Sequence, residues 1–144
     1  FAGTVPLRHL LPYWKTSNRY LFSGGSVNMR DAAVYAKEEN WSKAVELWKQ
    51  TYETKKGKQK MYAAYNTALG YEMQDSIDTA LEWALKAQTL AREKSKTDKK
   101  ETGEIHNGTI SYYIFISMYV DELEKRKEGM ARLNMQMNRF DDDF

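Results

Sequence analysis

The sequence predicts an all-α chain, two antiparallel helix pairs followed by one long C-terminal helix, and three observations carry that reading. Apolar residues recur at helical rather than strand spacing over most of the chain. One pattern of small and bulky residues occurs twice, 36 residues apart. Both prolines, Pro6 and Pro12, precede residue 13, so nothing downstream of them forbids long helices.

Taken in order, residues 1–25 read as an N-terminal helical segment ending in a Gly-Gly linker. Leu7, Leu10, Leu11 and Trp14 suggest a helix that Pro12 kinks or restarts, and Ser23-Gly24-Gly25-Ser26 is a flexible break. Asn28 suits a helix N-cap, with Asp31 three residues on in a capping-box-like position. Trp41, Ala44, Val45, Trp48 and Tyr52 form one face of the next helix. Asn40 caps its start, and Lys55-Lys56-Gly57-Lys58 closes it, with Gly57 suited to a left-handed backbone. Met61, Ala64, Tyr65, Ala68 and Leu69 mark a third helix. Ile77, Ala80, Leu81, Ala84, Ala87 and Ala91 mark a fourth, capped by Asp75-Ser76. These two helix pairs span residues 26–94. The run Lys94–Lys100 has no apolar residue to bury, so residues 95–104 read as a polar loop or a frayed helix end. From 105 to 144, Ile105, Tyr112, Ile116, Val120, Leu123, Met130, Leu133 and Met137 keep a helical stripe. Only Gly108 and Gly129 interrupt it, which predicts one long capping helix, bent near Gly129, with an acidic tail Asp141-Asp142-Asp143.

The repeat aligns Ala32 with Ala68, Tyr35 with Tyr71, Trp41 with Ile77, Ala44 with Ala80 and Trp48 with Ala84. Antiparallel helices approach closely only where a small residue allows it, and Ala68 facing Ala80 meets that need. Residues 65–87, YNTALGYEMQDSIDTALEWALKA, resemble the tetratricopeptide pattern, with Ala68, Tyr71, Ala80 and Ala87 at its small–large–small–small positions. The first unit departs from it, with Thr51 at the last small position and Trp48 enlarging a neighbouring one, and no proline closes either unit. The resemblance implies a short right-handed solenoid that binds a protein or peptide. Two units stack thinly, so the flanking segments must complete the core.

The chain also resembles, over nearly its whole length, the C-terminal half of uncharacterised envelope lipoproteins of Bacteroides-type bacteria. The residues that carry this are LLPYWKTSNRYLFSGG, then Asn40, Trp41, Ala44, Leu47 and Trp48, then the repeat. The likeness implies a lipid-anchored N-terminal domain upstream, a place in the periplasm or at the outer membrane, and membrane contact only through that missing part. It agrees with a chain that begins at Phe1. The family brings no activity with it.

Composition narrows the chemistry. With 144 residues, 42% hydrophobic and 29% charged, the chain suits one packed domain. A net charge of +2 argues for neither nucleic acid nor an anionic membrane, and no RNP-type strand motif is present. Having no cysteine excludes disulfides, thiolate catalysis and cysteine-based zinc sites. His9 and His106 are the only histidines, and only Glu104 stands near either at metal-ligand spacing, whereas zinc needs three or four ligands. No nucleophile elbow, phosphate loop or dinucleotide fingerprint occurs. Glu38 and Glu39 are adjacent on a helix and point apart. Asn107-Gly108-Thr109 is a formal glycosylation sequon. The expectation is a chain with no catalytic residue, metal or cofactor.

What remains is a surface. Tyr62, Tyr65, Leu69 and Met73, with Asn66 beside them, occupy first-helix positions that line the concave face in tetratricopeptide proteins. Tyrosine offers a rigid amphipathic contact, and asparagine can hold a peptide backbone by paired hydrogen bonds. Arg30 and Lys37 lie on the equivalent helix of the first unit and suit an acidic residue or a C-terminal carboxylate. These seven are the candidate peptide-binding groove. The alternative is that a flanking helix covers this face, leaving a structural or oligomerising domain. Lys55, Lys56, Lys58 and Lys60 form a basic turn, either solvated or set against anionic headgroups.

Overall fold

The computed structural model describes residues 4–6, 19–102 and 111–142. Its elements are strands β1 (Thr4–Pro6) and β2 (Tyr20–Phe22) and helices α1 (Val27–Lys37), α2 (Trp41–Thr54), α3 (Lys58–Met73), α4 (Ile77–Thr102) and α5 (Tyr112–Asp142). The body is helical, as the spacing predicts. Each helix packs on the one before it, α1 on α2 through α4 on α5.

The segment before α1 differs from its helical expectation. β1 and β2 pair antiparallel, with Val5 opposite Leu21 and Pro6 opposite Tyr20. Tyr-Leu-Phe favours extended backbone, and Pro6 is tolerated where its missing N–H leaves no gap in a wider sheet. The predicted helix around Leu7, Leu10, Leu11 and Trp14 lies outside the described residues, as do His9, His106 and the Asn107 sequon.

The cap of α1 is Ser26, two residues earlier than expected. Its Oγ accepts from the Met29 N–H at 3.4 Å, while Asn28 donates to Gln50. Ser26 leaves the Gly-Gly break already extended, so it reaches the first free N–H groups before Asn28 does. Asn40 caps α2 as predicted, accepting from Lys43. Gly57 has φ 67°, a backbone glycine adopts without strain, although it introduces α3 and does not end α2. The stretch 95–104, which the sequence leaves open between loop and helix end, takes the helical form as far as Thr102. Its Lys, Glu, Thr and Asp residues meet no glycine before Gly103, and the long-chain ones propagate a helix without any apolar face. Helix α5 runs unbroken through Gly129, and residues 103–110 are outside the described set.

The 36-residue repeat reaches down to single backbone bonds. At the end of α1, Asn40 N–H bonds to the Tyr35 carbonyl at 2.9 Å and Glu39 N–H to the Ala36 carbonyl at 3.0 Å. At the end of α3, Ser76 bonds to Tyr71 at 2.9 Å and Asp75 to Glu72 at 3.0 Å. Both turns are Schellman motifs, with Glu39 (φ 60°) and Asp75 (φ 61°) in the left-handed position.

α3 is the central helix, and residues 63–70 are buried without a break. It can be apolar nearly all round because α2, α4 and β2 each cover part of it. Ala44 and Trp48 of α2, and Ala80, Ala84 and Ala87 of α4, are fully buried against it. A close approach also falls at Gly70, which the repeat pattern does not single out. A methyl there would collide with Cγ2 of Val45 and stand 3.2 Å from the Trp48 ring.

Candidate functional site

The predicted groove residues of α3 do converge, but on the chain's own β2. Asn66 is completely buried, and its side-chain amide brackets Phe22. Oδ1 accepts from the Phe22 N–H at 2.9 Å, and Nδ2 donates to the Phe22 carbonyl at 2.7 Å. One residue back, the Tyr65 hydroxyl donates to the Tyr20 carbonyl at 2.6 Å. Three backbone groups of the strand are thus satisfied by two α3 side chains, the way a scaffold holds an extended peptide.

The Phe22 side chain sits in an aromatic box. Its ring stacks on Tyr62 at 4.2 Å and meets Tyr65, Tyr112 and Phe115 edge-on at 5.2, 6.0 and 6.1 Å. Tyr112 and Phe115 belong to the first turns of α5, so this helix closes the box, and the Tyr62 and Tyr112 hydroxyls bond at 2.8 Å. Phe22 is left 2% exposed. Such offset and edge-on pairs add about 0.5–1.5 kcal/mol each beyond area burial.

Beyond the box lies a charged hub that sequence reading missed. Glu72, with no exposed surface, takes both Nε and Nη2 of Arg19 at 3.1 and 3.2 Å, the Tyr119 hydroxyl at 2.8 Å and Arg126 Nη1 at 2.7 Å. One carboxylate therefore ties the residue just ahead of β2, the end of α3 and the middle of α5. Burial pulls the Arg19 guanidinium down, but the Glu72 charge and hydrogen bonds outweigh this and hold it above its ordinary value. Burial first, and then the Glu72 charge, push the Tyr65 and Tyr119 phenols up. Burial and the Tyr112 bond do the same to Tyr62. These hydroxyls are protonated hydrogen-bond donors at neutral pH.

A family model with the description Domain of unknown function (DUF6340) matches residues 30–125. The chain belongs to the DUF6340 family. No curated protein and no solved structure matches it. The matched region of this DUF6340 chain takes in α1 from Arg30, then α2 to α4, and α5 as far as Lys125, and β2 lies outside it.

Of the seven candidate groove residues, Tyr65, Asn66 and Leu69 are buried, Tyr62 and Met73 are half-buried, and Arg30 and Lys37 are exposed on α1, apart from the strand contacts. Phe22, Glu72, Tyr112, Phe115, Tyr119 and Arg126 complete the site without having been predicted. Glu72 alone left a signal: it follows Tyr65 and Leu69 at steps of four and three, an acid on an otherwise buried face. On the other side of the helices, Lys86 stands 4.1 Å from the Trp83 ring and Lys60 4.7 Å from Tyr52, so part of the basic turn lies along aromatic surface. An open hollow of about 600 Å³ beside α2, lined by Asn28, Ser42, Glu46, Lys49 and Glu53, mixes charges of both signs. Among the described residues no cluster of three potential metal ligands occurs.

Proposed function

We propose that this DUF6340 domain is a non-catalytic, tetratricopeptide-like scaffold whose concave face holds its own upstream strand. It would dock the preceding part of the polypeptide onto a rigid helical body. The observation that carries this reading is the paired hydrogen bonding of Asn66 to Phe22, which uses a peptide-recognition device on the chain itself. The repeated Schellman turns and small-residue contacts support the solenoid comparison. The spent state of Glu72, the buried acid among the described residues, supports a structural over a catalytic role. A partner peptide at this face would have to displace β2 first. The likeness to envelope lipoproteins supports a parent anchored by a lipid upstream. No helix among the described residues is long and apolar enough to cross a membrane.

A peptide spanning residues 17–25, added in trans, tests the reading. A protein whose site is already filled binds a competitor only in proportion to the fraction that opens. The peptide should bind a full-length Phe22→Ala variant, whose own strand is loosened, at least about tenfold more tightly than the unaltered chain. Equal, saturable binding to both would mean that the face is open and that the self-docking reading is wrong.

A further inference from the structure

The two halves of α5 share one seam and differ in what covers it. Ile116, Tyr119, Leu123 and Arg126 recur at steps of three and four, the spacing of a coiled-coil seam. The first three are buried, and Arg126 reaches in to Glu72. Met130, Leu133 and Met137 continue the same steps, yet are 40%, 54% and 58% exposed. The cause is geometric. α4 and α5 run antiparallel, with Arg92 over the Tyr113 ring, Gln88 bonded to Ser117, and Asp78 paired with Lys127 at 2.9 Å. Asp78 is the second residue of α4, so the bundle ends where α5 has reached Lys127. Residues 128–142 run on for about 22 Å at the helical rise of 1.5 Å per residue. Every residue from 127 to 139 is exposed.

We infer that this projecting half of α5 is a self-association surface, and that its occupant is the same half-helix of a second copy laid antiparallel. Two observations select that occupant. The seam is two residues wide per heptad, which suits a single partner helix more than a broad globular face. Its charge is also polarised along the axis. Lys125 and Lys127 stand where the projection begins, and Asp141 and Asp142 stand at its end. Antiparallel pairing sets each acidic end beside the other copy's basic start, whereas parallel pairing would stack the aspartates on one another. With Leu133 in register with Met137 of the second copy, Met130 falls level with Phe140, and on the flank of the seam Lys127 comes within two positions of Asp141, about 3 Å along the axis. This surface is separate from the β2 site, so either can fail while the other stands.

A contact of this length lies at the small end of specific interfaces, so sedimentation equilibrium should cover about 0.01–1 mM chain. The unaltered protein should pass from monomer to dimer within that range. Leu133→Glu with Met137→Glu, at exposed positions that leave the monomer's helicity unchanged, should weaken the dimer at least tenfold. Because the chain has no cysteine, the register can be read by disulfide trapping. A mixture of Leu133→Cys and Met137→Cys chains should cross-link to each other in preference to themselves. A protein that stays monomeric throughout, a dimer that survives the double glutamate variant, or Met137→Cys chains that mainly link to themselves would each overturn the proposal.

Discussion

Glu72 is a charged side chain with no exposed surface, and its stability depends wholly on Arg19, Tyr119 and Arg126 around it. Removing a carboxylate from water costs several kcal/mol, and only charge-assisted partners of good geometry offset that. Replacing one member leaves buried charges unpaired. Glu72→Ala should therefore destabilise the domain by about 3–5 kcal/mol in chemical denaturation. Lys127→Ala is the control: its pair with Asp78 is exposed, and such pairs are worth about 0–1 kcal/mol. A similar loss from both would mean that burial does not set the value of the hub. The sequence places Glu72 on a buried face but does not reveal its partners, because Arg19 and Arg126 stand 53 and 54 residues away, far beyond any helical period.

At the scale of elements, what could be read was what repeats locally. The faces of α2, α3 and α4 follow from apolar spacing, since each helix must bury one side against its neighbour. β2 could not be read that way. Three residues are too few to display alternation, and its extended form is fixed by Asn66 and Tyr65, which lie more than forty residues on. The polar end of α4 leaves loop and helix end open in the sequence, because helix-forming residues without an apolar face carry no periodic signal. The site shows the same split: Tyr62, Tyr65 and Asn66 were visible on α3, whereas the strand that fills their face was not. The repeated turns make a prediction of their own. Glu39 and Asp75 hold left-handed backbone at a cost that glycine avoids, and aspartate bears it better than glutamate. Glu39→Gly should stabilise the domain by about 0.5–1 kcal/mol, and Asp75→Gly by less, read as denaturation midpoints at unchanged slope. Destabilisation by either would mean that the turn is relaxed with its native side chain.

For the whole molecule, the face of α3 that holds β2 is central. α3 supplies the polar clamp, α5 the aromatic wall, and Glu72 a tie between the two and the residue ahead of β2. A helical body with a thin core thereby gains a strand's worth of buried aromatic surface. The same α5 then leaves the bundle and carries an uncovered seam outward. The chain thus holds its own strand β2 on the helical body, and under our proposal the projecting half pairs with a second copy.

The most direct test of the strand clamp is the hydrogen exchange of the Phe22 amide, compared with that of Trp48 in the core of α2. In the unaltered chain the Phe22 amide should exchange far more slowly than in an unstructured peptide, because Asn66 accepts its hydrogen and both residues are buried. Asn66→Ala should speed it by about tenfold to a hundredfold, matching the loss of one buried hydrogen bond, and speed Trp48 by less. A Phe22 amide that already exchanges at the unstructured rate, or one unchanged by Asn66→Ala, would contradict the clamp.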